Sequence, residues 1–237
     1  MYQFFVEDSV NVGEKIVLSK EQSHHALSVL RLHHEKVRIV YHGEAYFGDG
    51  YSENKNFVVD IQEQDLSEKE LPCNVTLMMG LIRKEKMEFV LQKCTELGVT
   101  KIIPFVSSRA IVHYDANKVN KVLQRWNSIL EESSAQCKRN MIPELTEIVS
   151  FKNLTQYKEE QNYIAYENAN CEHHLFGEDL KQESISYVIG PEGGFSEEEI
   201  DYLVSNGFKM TSFGNRILRA ETAAIYGMSI LSNFLEK

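Results

Sequence analysis

The residues of this chain that could do chemistry are concentrated in two segments near the C-terminus. Residues 189–195 read IGPEGGF, and residues 213–223 read FGNRILRAETA. Arg216 and Arg219 are three residues apart at the start of a predicted helix, so their side chains lie on one face. Two such cations can stabilise negative charge that develops in a reaction. Glu221, two residues further on, is a candidate proton acceptor.

Each segment follows an apolar run that reads as a buried strand, and each leads into a helical pattern. The strands are predicted at Ser186–Ile189 and Lys209–Phe213. Glycines and a proline at such a turn let the backbone bend sharply and approach a flat ligand, while free N–H groups lie at the helix start. Because open α/β sheets bind ligands at strand ends of this kind, two such turns close together predict a nucleotide-like cofactor site. A single glycine turn would be ordinary chain punctuation.

The cofactor predicted for this site is one without phosphates. The chain contains neither G-x-x-x-x-G-K-[ST] nor a G-x-G-x-x-G that follows a strand, so it has no motif that cradles a pyrophosphate. A molecule held through its adenine and ribose by backbone groups fits better. S-adenosylmethionine (SAM) is such a molecule.

Residues 1–70 read as a small β-rich domain. Its predicted elements are strands at 37–41 and 57–61, turns at 42–43 and 48–50, and one helical segment at about 21–30. Short strands at this spacing suggest a small barrel. The polar stretch at 63–72 ends in proline and predicts the domain boundary.

Residues 73–237 read as an α/β domain, because predicted strands alternate with predicted helices. The strands are expected at 75–81, 101–106, 163–166, 186–189 and 209–213, and the helices at 84–97, 117–135, 196 to about 207, and 220–234. Such alternation indicates a mostly parallel sheet. Gly98 is a predicted helix C-cap, and Ser196 with Glu199 forms a predicted capping box.

Composition excludes several other classes of protein. The chain has 237 residues, a net charge of −10 and 43% hydrophobic residues. The negative charge counts against a protein that coats nucleic acid nonspecifically, whereas the content of apolar residues is ample for a core. No apolar run is long enough to span a bilayer. Four scattered cysteines and adjacent histidine pairs predict a cytoplasmic protein with reduced thiols and no metal site.

The two C-terminal loops resemble those of a known family. GPEGGFSEEEI (190–200) and FGNRILRAETAA (213–224) are similar to the signature loops of the RsmE-type 16S ribosomal RNA uridine-N3 methyltransferases, in the SPOUT superfamily. Further matches are His24-His25 with 29–31, residues 86–99, and Trp126 to Pro143. The resemblance covers essentially the whole chain.

The resemblance implies a fold, a reaction and partners. The fold would be a SPOUT-type parallel sheet with a C-terminal trefoil knot, preceded by a PUA-like β-barrel that binds RNA. The reaction would be methylation of uridine N3 by SAM. The partners would be 16S rRNA within the assembled small ribosomal subunit and a second copy of the chain. Either Arg216 or Arg219 would stabilise negative charge on a uracil carbonyl, and Glu221 or Glu192 would accept the proton.

Residues are assigned to the implied site by position. Cofactor contacts are expected from Tyr166, Glu167, Ile189, Gly190, Pro191, Glu192, Gly193, Gly194, Phe195, Phe213, Gly214, Asn215, Ile217 and Leu218, with Phe195 and Phe213 against the adenine. RNA contacts are expected from Arg31, Arg83, Lys86, Arg109, Lys138 and Arg139. The family often carries arginine in the first few residues, where this chain has Tyr2-Gln3, so more of the RNA binding would fall to these six.

Other interpretations of the same residues stay open at this point. Glu221 could instead cap the first turn of its helix, and Arg219 could clamp an RNA phosphate. The basic residues could be ordinary solvated helix faces. For the whole protein, the alternatives are another SPOUT reaction, such as ribose 2′-O-methylation, and a non-catalytic RNA-binding assembly factor.

Overall fold

A computed structural model describes residues 1–112, 114–166, 173–177 and 180–236, and the chain divides into two compact units. The first unit contains Met1–Glu70 and Ser134–Met141, and the second contains Leu71–Ser133 and Ile142–Lys237. The first unit thus combines the predicted N-terminal domain with a short segment from the middle of the chain. The sequence did not indicate that segment as part of this unit.

The first unit is built on a five-stranded sheet. Its strands are β1 (Tyr2–Phe5), β2 (Lys15–Val17), β3 (His34–Tyr41), β4 (Glu44–Glu53) and β5 (Asn56–Asp65), in the spatial order β1-β3-β4-β5-β2. β1 runs parallel to β3, and the other pairs are antiparallel. The predicted helical segment is α1 (Lys20–His24), which starts with a capping box at Ser19 and continues into a π-helical turn at His25–Val29.

The predicted turn at 48–50 is wrong, because these residues lie in the middle of β4. A Cβ on Gly48 would lie 2.6 Å from Val59 Cγ1, and one on Gly50 would lie 2.5 Å from the ring of Phe57. The strands also shift register between Phe47 and Gly48. The glycines therefore permit a close approach of β5 at a bulge, which is the other use of glycine in a strand.

The second unit contains a parallel sheet. Its strands are β6 (Val75–Gly80), β7 (Lys101–Val106), β8 (Glu144–Leu145), β9 (Val149–Ser150), β10 (Gln161–Ala165), β11 (His173–His174), β12 (Ile185–Ile189) and β13 (Lys209–Ser212). The spatial order is β11-β13-β10-β12-β6-β7-β8, with β9 also on β7. Every strand pair in the described part of this sheet is parallel.

Helices cover both faces of the sheet. They are α2 (Lys84–Glu96), α3 (Ala116–Cys137), α4 (Glu197–Ser205) and α5 (Ala220–Leu235), with a 3-10 helix at Phe151–Tyr157. Leu77 and Met79 pack with α2, α3 and α5, while Met78 packs with α4 and the 3-10 helix. Successive strand residues point to opposite faces, so burial on both faces explains the continuous apolar runs.

The helices, their caps and the longer strands of this unit are confirmed as predicted, within about two residues. Gly98 has a φ of +99° after α2, Ser196 and Glu199 form the capping box of α4, and Gly207 follows α4 with a φ of +87°. Cys94 is buried on α2, where burial raises the pKa of its thiol to about 12 and leaves it a small apolar residue. Among the described residues, no helix is both long and apolar enough to cross a membrane.

Candidate active site

Three loops of the second unit enclose a cavity of about 390 Å³. The loops follow β10, β12 and β13, three strands of one parallel sheet, so all three leave at the same edge. The first turn of α2 and the start of α5 complete the wall. The lining residues are Lys86, Ala165, Tyr166, Ile189, Gly190, Pro191, Glu192, Gly194, Phe195, Phe213, Gly214, Arg216, Ile217, Leu218, Arg219, Ala220 and Ala223.

Two glycines bring the loop after β12 into direct contact with its neighbours. A Cβ on Gly80, at the end of β6, would lie 2.6 Å from Pro191 N and 2.8 Å from Pro191 Cδ. A Cβ on Gly193 would lie 2.7 Å from the carbonyl oxygen of Arg109. A side chain at either position would therefore clash with backbone atoms of the neighbouring segment. The loop is held between the end of β6 and the segment after β7.

Glu199 fastens the same loop through both of its carboxylate oxygens. Oε2 accepts a hydrogen bond of 3.0 Å from Ser196 N, and Oε1 accepts one of 2.8 Å from Ser108 N. The first bond belongs to the capping box of α4, and the second ties the start of α4 to the segment after β7. Glu199 is 8% exposed, so bulk water has little access to either hydrogen bond.

Two other glycines leave open space along the cavity wall. Gly194 has a φ of +67° and Gly214 a φ of +103°, a backbone conformation that favours glycine. A Cβ on either residue would meet no atom within 4 Å. The wall is therefore bare backbone at these two points, where a flat ligand can lie directly against the chain.

Apolar side chains form another part of the wall. Phe195 is 6% exposed and supports Gly190, whose added Cβ would lie 3.0 Å from the ring. Phe213 packs against Phe176, with ring centroids 5.5 Å apart. Gly227 on α5 makes room for it, because a Cβ there would lie 2.9 Å from Phe213 Cζ. Both phenylalanines thus line the cavity with their positions set by close packing.

Two arginine side chains lie at the N-terminal end of α5. Arg219 occupies its N-cap position and makes no capping hydrogen bond through its side chain, although Ser, Thr, Asp and Asn are the residues that stabilise this position. Arg216 and Arg219 both line the cavity and are exposed. A cation at the positive end of a helix opposes the helix dipole. The arrangement favours binding of negative charge over stability of the helix.

Lys86 lies between two carboxylates beside the same cavity. Its Nζ is 3.3 Å from Glu192 Oε1 and 3.3 Å from Glu221 Oε2. Glu192 lines the cavity, whereas Glu221 is not among the lining residues and reaches the cavity only through Lys86. Lys86 was assigned to RNA binding by its place in a basic run, but the structure puts it in the cavity wall.

The structure brings most of the other expected cofactor residues together in this wall. Gly193 and Asn215 are adjacent in sequence to lining residues but do not line the cavity themselves. Glu167 lies outside the described residues.

The expected RNA contacts fall into two groups. Arg31, Arg83 and Arg109 are exposed. Arg31 follows the π-helical turn with a φ of +57°, and Arg83 is the N-cap residue of α2. These three side chains remain accessible to a polyanion.

Lys138 and Arg139 have other partners, which corrects the expectation that they face RNA. Arg139 is 3% exposed, and its guanidinium donates hydrogen bonds of 2.9 and 2.6 Å to Glu70. Lys138 Nζ donates a bond of 2.8 Å to the carbonyl of Ala135. Burial, and then the nearby Arg38, lower the pKa of Lys138. Arg139, which is buried and paired, has little capacity left for a phosphate, whereas Lys138 is half-buried.

Arg38 is the centre of that buried network. It is 1% exposed and donates to Asp65 at 2.8 Å, to Gln3 at 2.8 Å and to the carbonyl of Lys138 at 3.2 Å. Gln3 in turn donates to the carbonyl of Arg139 at 2.7 Å. Gln3 thus helps hold the segment 134–141 within the first unit.

One residue of the site, Gly80, was missed by the reasoning from sequence, although a glycine at the end of a buried strand often marks a close backbone approach. Lys86 was predicted as an RNA contact and Glu199 as part of a capping box. Their further roles at the cavity gave no signal, since Glu192, Glu221 and Ser108 are distant from them in sequence. In the described part of the chain, no three His, Cys, Asp or Glu side chains are grouped so as to hold a metal ion.

The second unit is a parallel sheet covered by helices, with a ligand-sized cavity at one edge. Glycine backbone and cationic side chains form part of the cavity wall. These features define an α/β enzyme with a cofactor site. The family model described as RNA methyltransferase domain matches residues 69–232. The chain belongs to this RNA methyltransferase family.

Similar proteins match over their full length. Ribosomal RNA small subunit methyltransferase E of Bacillus subtilis is 29% identical, with 98% of this chain and 96% of the relative covered. The solved structure of that enzyme from Neisseria gonorrhoeae, bound to S-adenosyl methionine, is 28% identical with a TM-score of 0.89, covering 99% of this chain and 98% of the other. A Legionella pneumophila protein described as a methyltransferase, in complex with SAM, is 30% identical with a TM-score of 0.89, covering 98% and 97%.

Proposed function

We propose that this protein transfers a methyl group from SAM to N3 of a uridine in 16S rRNA of the assembled small ribosomal subunit. The observation that carries the proposal is the cavity at the edge of the parallel sheet, in a chain similar along its whole length to ribosomal RNA small subunit methyltransferase E. Solved structures of two similar proteins contain SAM.

The residues of the cavity fit SAM. A volume of about 390 Å³ lies within the range of small-molecule sites. The bare backbone at Gly194 and Gly214 offers room for a flat base and its sugar, and Ile189, Leu218 and Phe213 supply apolar contact. The loops after β10, β12 and β13 would hold the cofactor. When bound, it supplies a methyl group activated by a positively charged sulfur.

The protein's own residues have two tasks in the proposed reaction. The first is alignment of the uracil ring with the methyl donor, which depends on loops held by Gly80, Gly193 and Glu199. The second is charge: uracil loses its N3 proton, and negative charge spreads onto the ring carbonyl oxygens. Arg216 and Arg219 at the cavity wall would stabilise that charge.

The RNA and the partner chain belong to the same proposal. Arg31 in the first unit and Arg83 and Arg109 in the second would contact phosphates, on a protein whose net charge of −10 weakens nonspecific binding. Recognition would then depend on the shape of a folded RNA. We propose residues 1–70 as the PUA-like RNA-binding domain, residues 73–237 as the SPOUT methyltransferase domain with its trefoil knot, and the cytoplasm as the site of action.

A homodimer is also proposed. Apolar side chains are exposed on α2, on α5 and in the loop before α5: Phe89 is 48% exposed, Tyr226 41% and Ile217 79%. Exposed apolar side chains grouped on neighbouring elements are typical of an interface.

The test is transfer of labelled methyl groups to small subunits from cells that lack the gene, followed by digestion to nucleosides and mass spectrometry. We expect 3-methyluridine, about one per particle, and poor transfer to free rRNA. Added salt should reduce the rate, since phosphate contacts release counterions. A 2′-O-methylated nucleoside would replace the proposal by the ribose reaction. SAM binding without transfer to any RNA would favour the non-catalytic assembly factor.

A further inference from the structure

Lys86 occupies a position that helix stability does not explain. It lies in the first turn of α2, after Arg83 and Lys84, where a positive charge opposes the helix dipole. A residue that breaks a local rule of this kind is often retained for a site. The unfavourable interaction of Lys86 with the helix dipole is compensated by two carboxylates, Glu192 and Glu221.

The two carboxylates have different surroundings. Glu221 Oε2 is buried and accepts no hydrogen bond of good geometry, so the ammonium of Lys86 at 3.3 Å is what balances its charge. Its side chain is 15% exposed, against 22% for Glu192. Removing one partner of such a partly buried pair leaves an uncompensated charge. Glu221 therefore anchors Lys86, and Lys86 in turn holds Glu192 at the cavity wall.

We propose that Glu192 accepts the N3 proton of uracil and that Lys86 is a positioning residue, which Glu221 anchors and which holds the Glu192 carboxylate at the cavity wall. This inference rests on the proposed function and assigns the proton acceptor within it.

Glu192 is favoured over the other groups by their chemistry. It is the one carboxylate among the described residues that line the cavity. Arg216, Arg219 and Lys86 end in groups that only donate hydrogen bonds. Tyr166 ends in a hydroxyl that carries a proton of its own. Only Glu192 combines a free lone pair with a place in the wall.

The proposed step is balanced in atoms and electrons. The N3–H bond of uracil breaks, and its proton passes to a carboxylate oxygen of Glu192. The electron pair left on N3 forms the bond to the methyl carbon, while the methyl–sulfur bond breaks and its electron pair stays on sulfur. The sulfonium of the donor becomes a neutral thioether, and the carboxylate becomes a neutral acid that later returns its proton to water.

The charged groups around the cavity near Glu192 come from three elements. Lys86 approaches from α2, Arg216 and Arg219 come from the loop before α5, and Glu221 comes from α5 by way of Lys86. Arg109 acts elsewhere, since its positive charge lowers the pKa of Glu198 after hydrogen bonds from that residue's own backbone and from Ser196. Lys86 is thus the cation whose removal should matter most to the Glu192 carboxylate.

The first experiment compares Glu192→Gln with Glu197→Gln, an exposed residue at the start of α4. Glutamine keeps the size of the side chain but cannot take a proton. We expect turnover in Glu192→Gln to fall by about 10²- to 10⁴-fold, as for loss of a general base, with SAM affinity by calorimetry changed less than about threefold. Glu197→Gln should match the wild type in both. Equal turnover in Glu192→Gln and the wild type would overturn the inference.

The second experiment tests Lys86 by kinetics and by SAM binding. Lys86→Met removes the ammonium that lies 3.3 Å from Glu192 Oε1. The carboxylate then loses the contact that holds it at the wall, so turnover should fall at least about tenfold, while the KM for SAM and its affinity by calorimetry change less than about threefold. Lys86→Arg should restore most of the turnover, and Lys93→Met, which removes the ion-pair partner of Glu96 on the same helix, should change neither quantity.

Glu221→Gln separates the anchor from the acceptor. Loss of its charge leaves Lys86 without its anchor but keeps Glu192 as the acceptor, so turnover should fall less than in Glu192→Gln. A loss in Glu221→Gln as large as in Glu192→Gln, or wild-type turnover in a folded Lys86→Met, would overturn the assignment of these roles. Wild-type enzyme that forms no 3-methyluridine would overturn the proposed function and the inference together. Wild-type activity with a fully active Glu192→Gln would overturn the inference alone.

Discussion

Gly80→Ala is the sharpest test of how the cavity is built. The added methyl group would lie 2.6 Å from Pro191 N, 2.8 Å from Pro191 Cδ and 3.0 Å from Gly190 C. Ordinary contacts lie near 3.4 Å or beyond, and these neighbours are backbone and ring atoms that no rotamer change can move. The loop after β12 must therefore shift by about 0.8 Å. Overpacking of this kind costs roughly 1–3 kcal/mol of stability.

The same shift should impair the site. A displacement on the order of 1 Å in a positioning element can reduce turnover about a hundredfold, and we expect SAM affinity to fall at least about tenfold, because Gly190, Pro191 and Gly194 all line the cavity. Calorimetry with SAM and denaturant unfolding measure the two effects separately.

Gly48→Ala is the matched control. Its Cβ would lie 2.6 Å from Val59 Cγ1 and 2.7 Å from the carbonyl oxygen of Asp60, a clash of similar size in the first unit. It should destabilise the protein comparably and leave SAM affinity intact. If Gly80→Ala bound SAM with wild-type affinity, the close approach at Gly80 would have no bearing on the cofactor site.

Three further predictions concern single side chains. Gly194→Val should abolish SAM binding in a protein that stays folded, since the branched side chain enters the open space of the wall. The control is Gly43→Val, because Gly43 has a φ of +88° and equally open surroundings. It should show the same backbone strain of roughly 1–2 kcal/mol, with unchanged SAM affinity in calorimetry. Arg219→Ala should lower turnover about a hundredfold or more with little change in SAM affinity, and normal turnover would reduce it to a structural residue. Burial raises the pKa of Asp65, but hydrogen bonds from Ser67 and Arg38 outweigh this and lower it to about 2, so the carboxylate contributes about 2 kcal/mol at neutral pH that is lost as pH falls from about 4 through 2. Unfolding of Asp65→Asn should therefore show a deficit near pH 7 that shrinks in acid, and a deficit independent of pH would contradict it.

Local patterns in the sequence determined much of the fold and the place of the site. Periodic apolar residues, Gly98 and the Ser196–Glu199 box mark helices by interactions within a few residues, so these elements could be predicted well. The loops at 189–195 and 213–219 could be placed at strand ends for the same reason. Where a residue has two local uses, the pattern failed: the glycines at 48–50 suit a turn, yet they serve a close approach of β5.

Only the tertiary structure decided which charges act together. Lys86 is far in sequence from Glu192 and Glu221, and nothing in a basic run shows that one of its members is paired between two carboxylates. From its sequence context Arg139 is predicted to bind RNA, whereas in the structure it is buried and paired with Glu70. Side-chain partners across such separations are set by how strands order and helices pack, and that information is spread over the whole chain rather than held in any one segment.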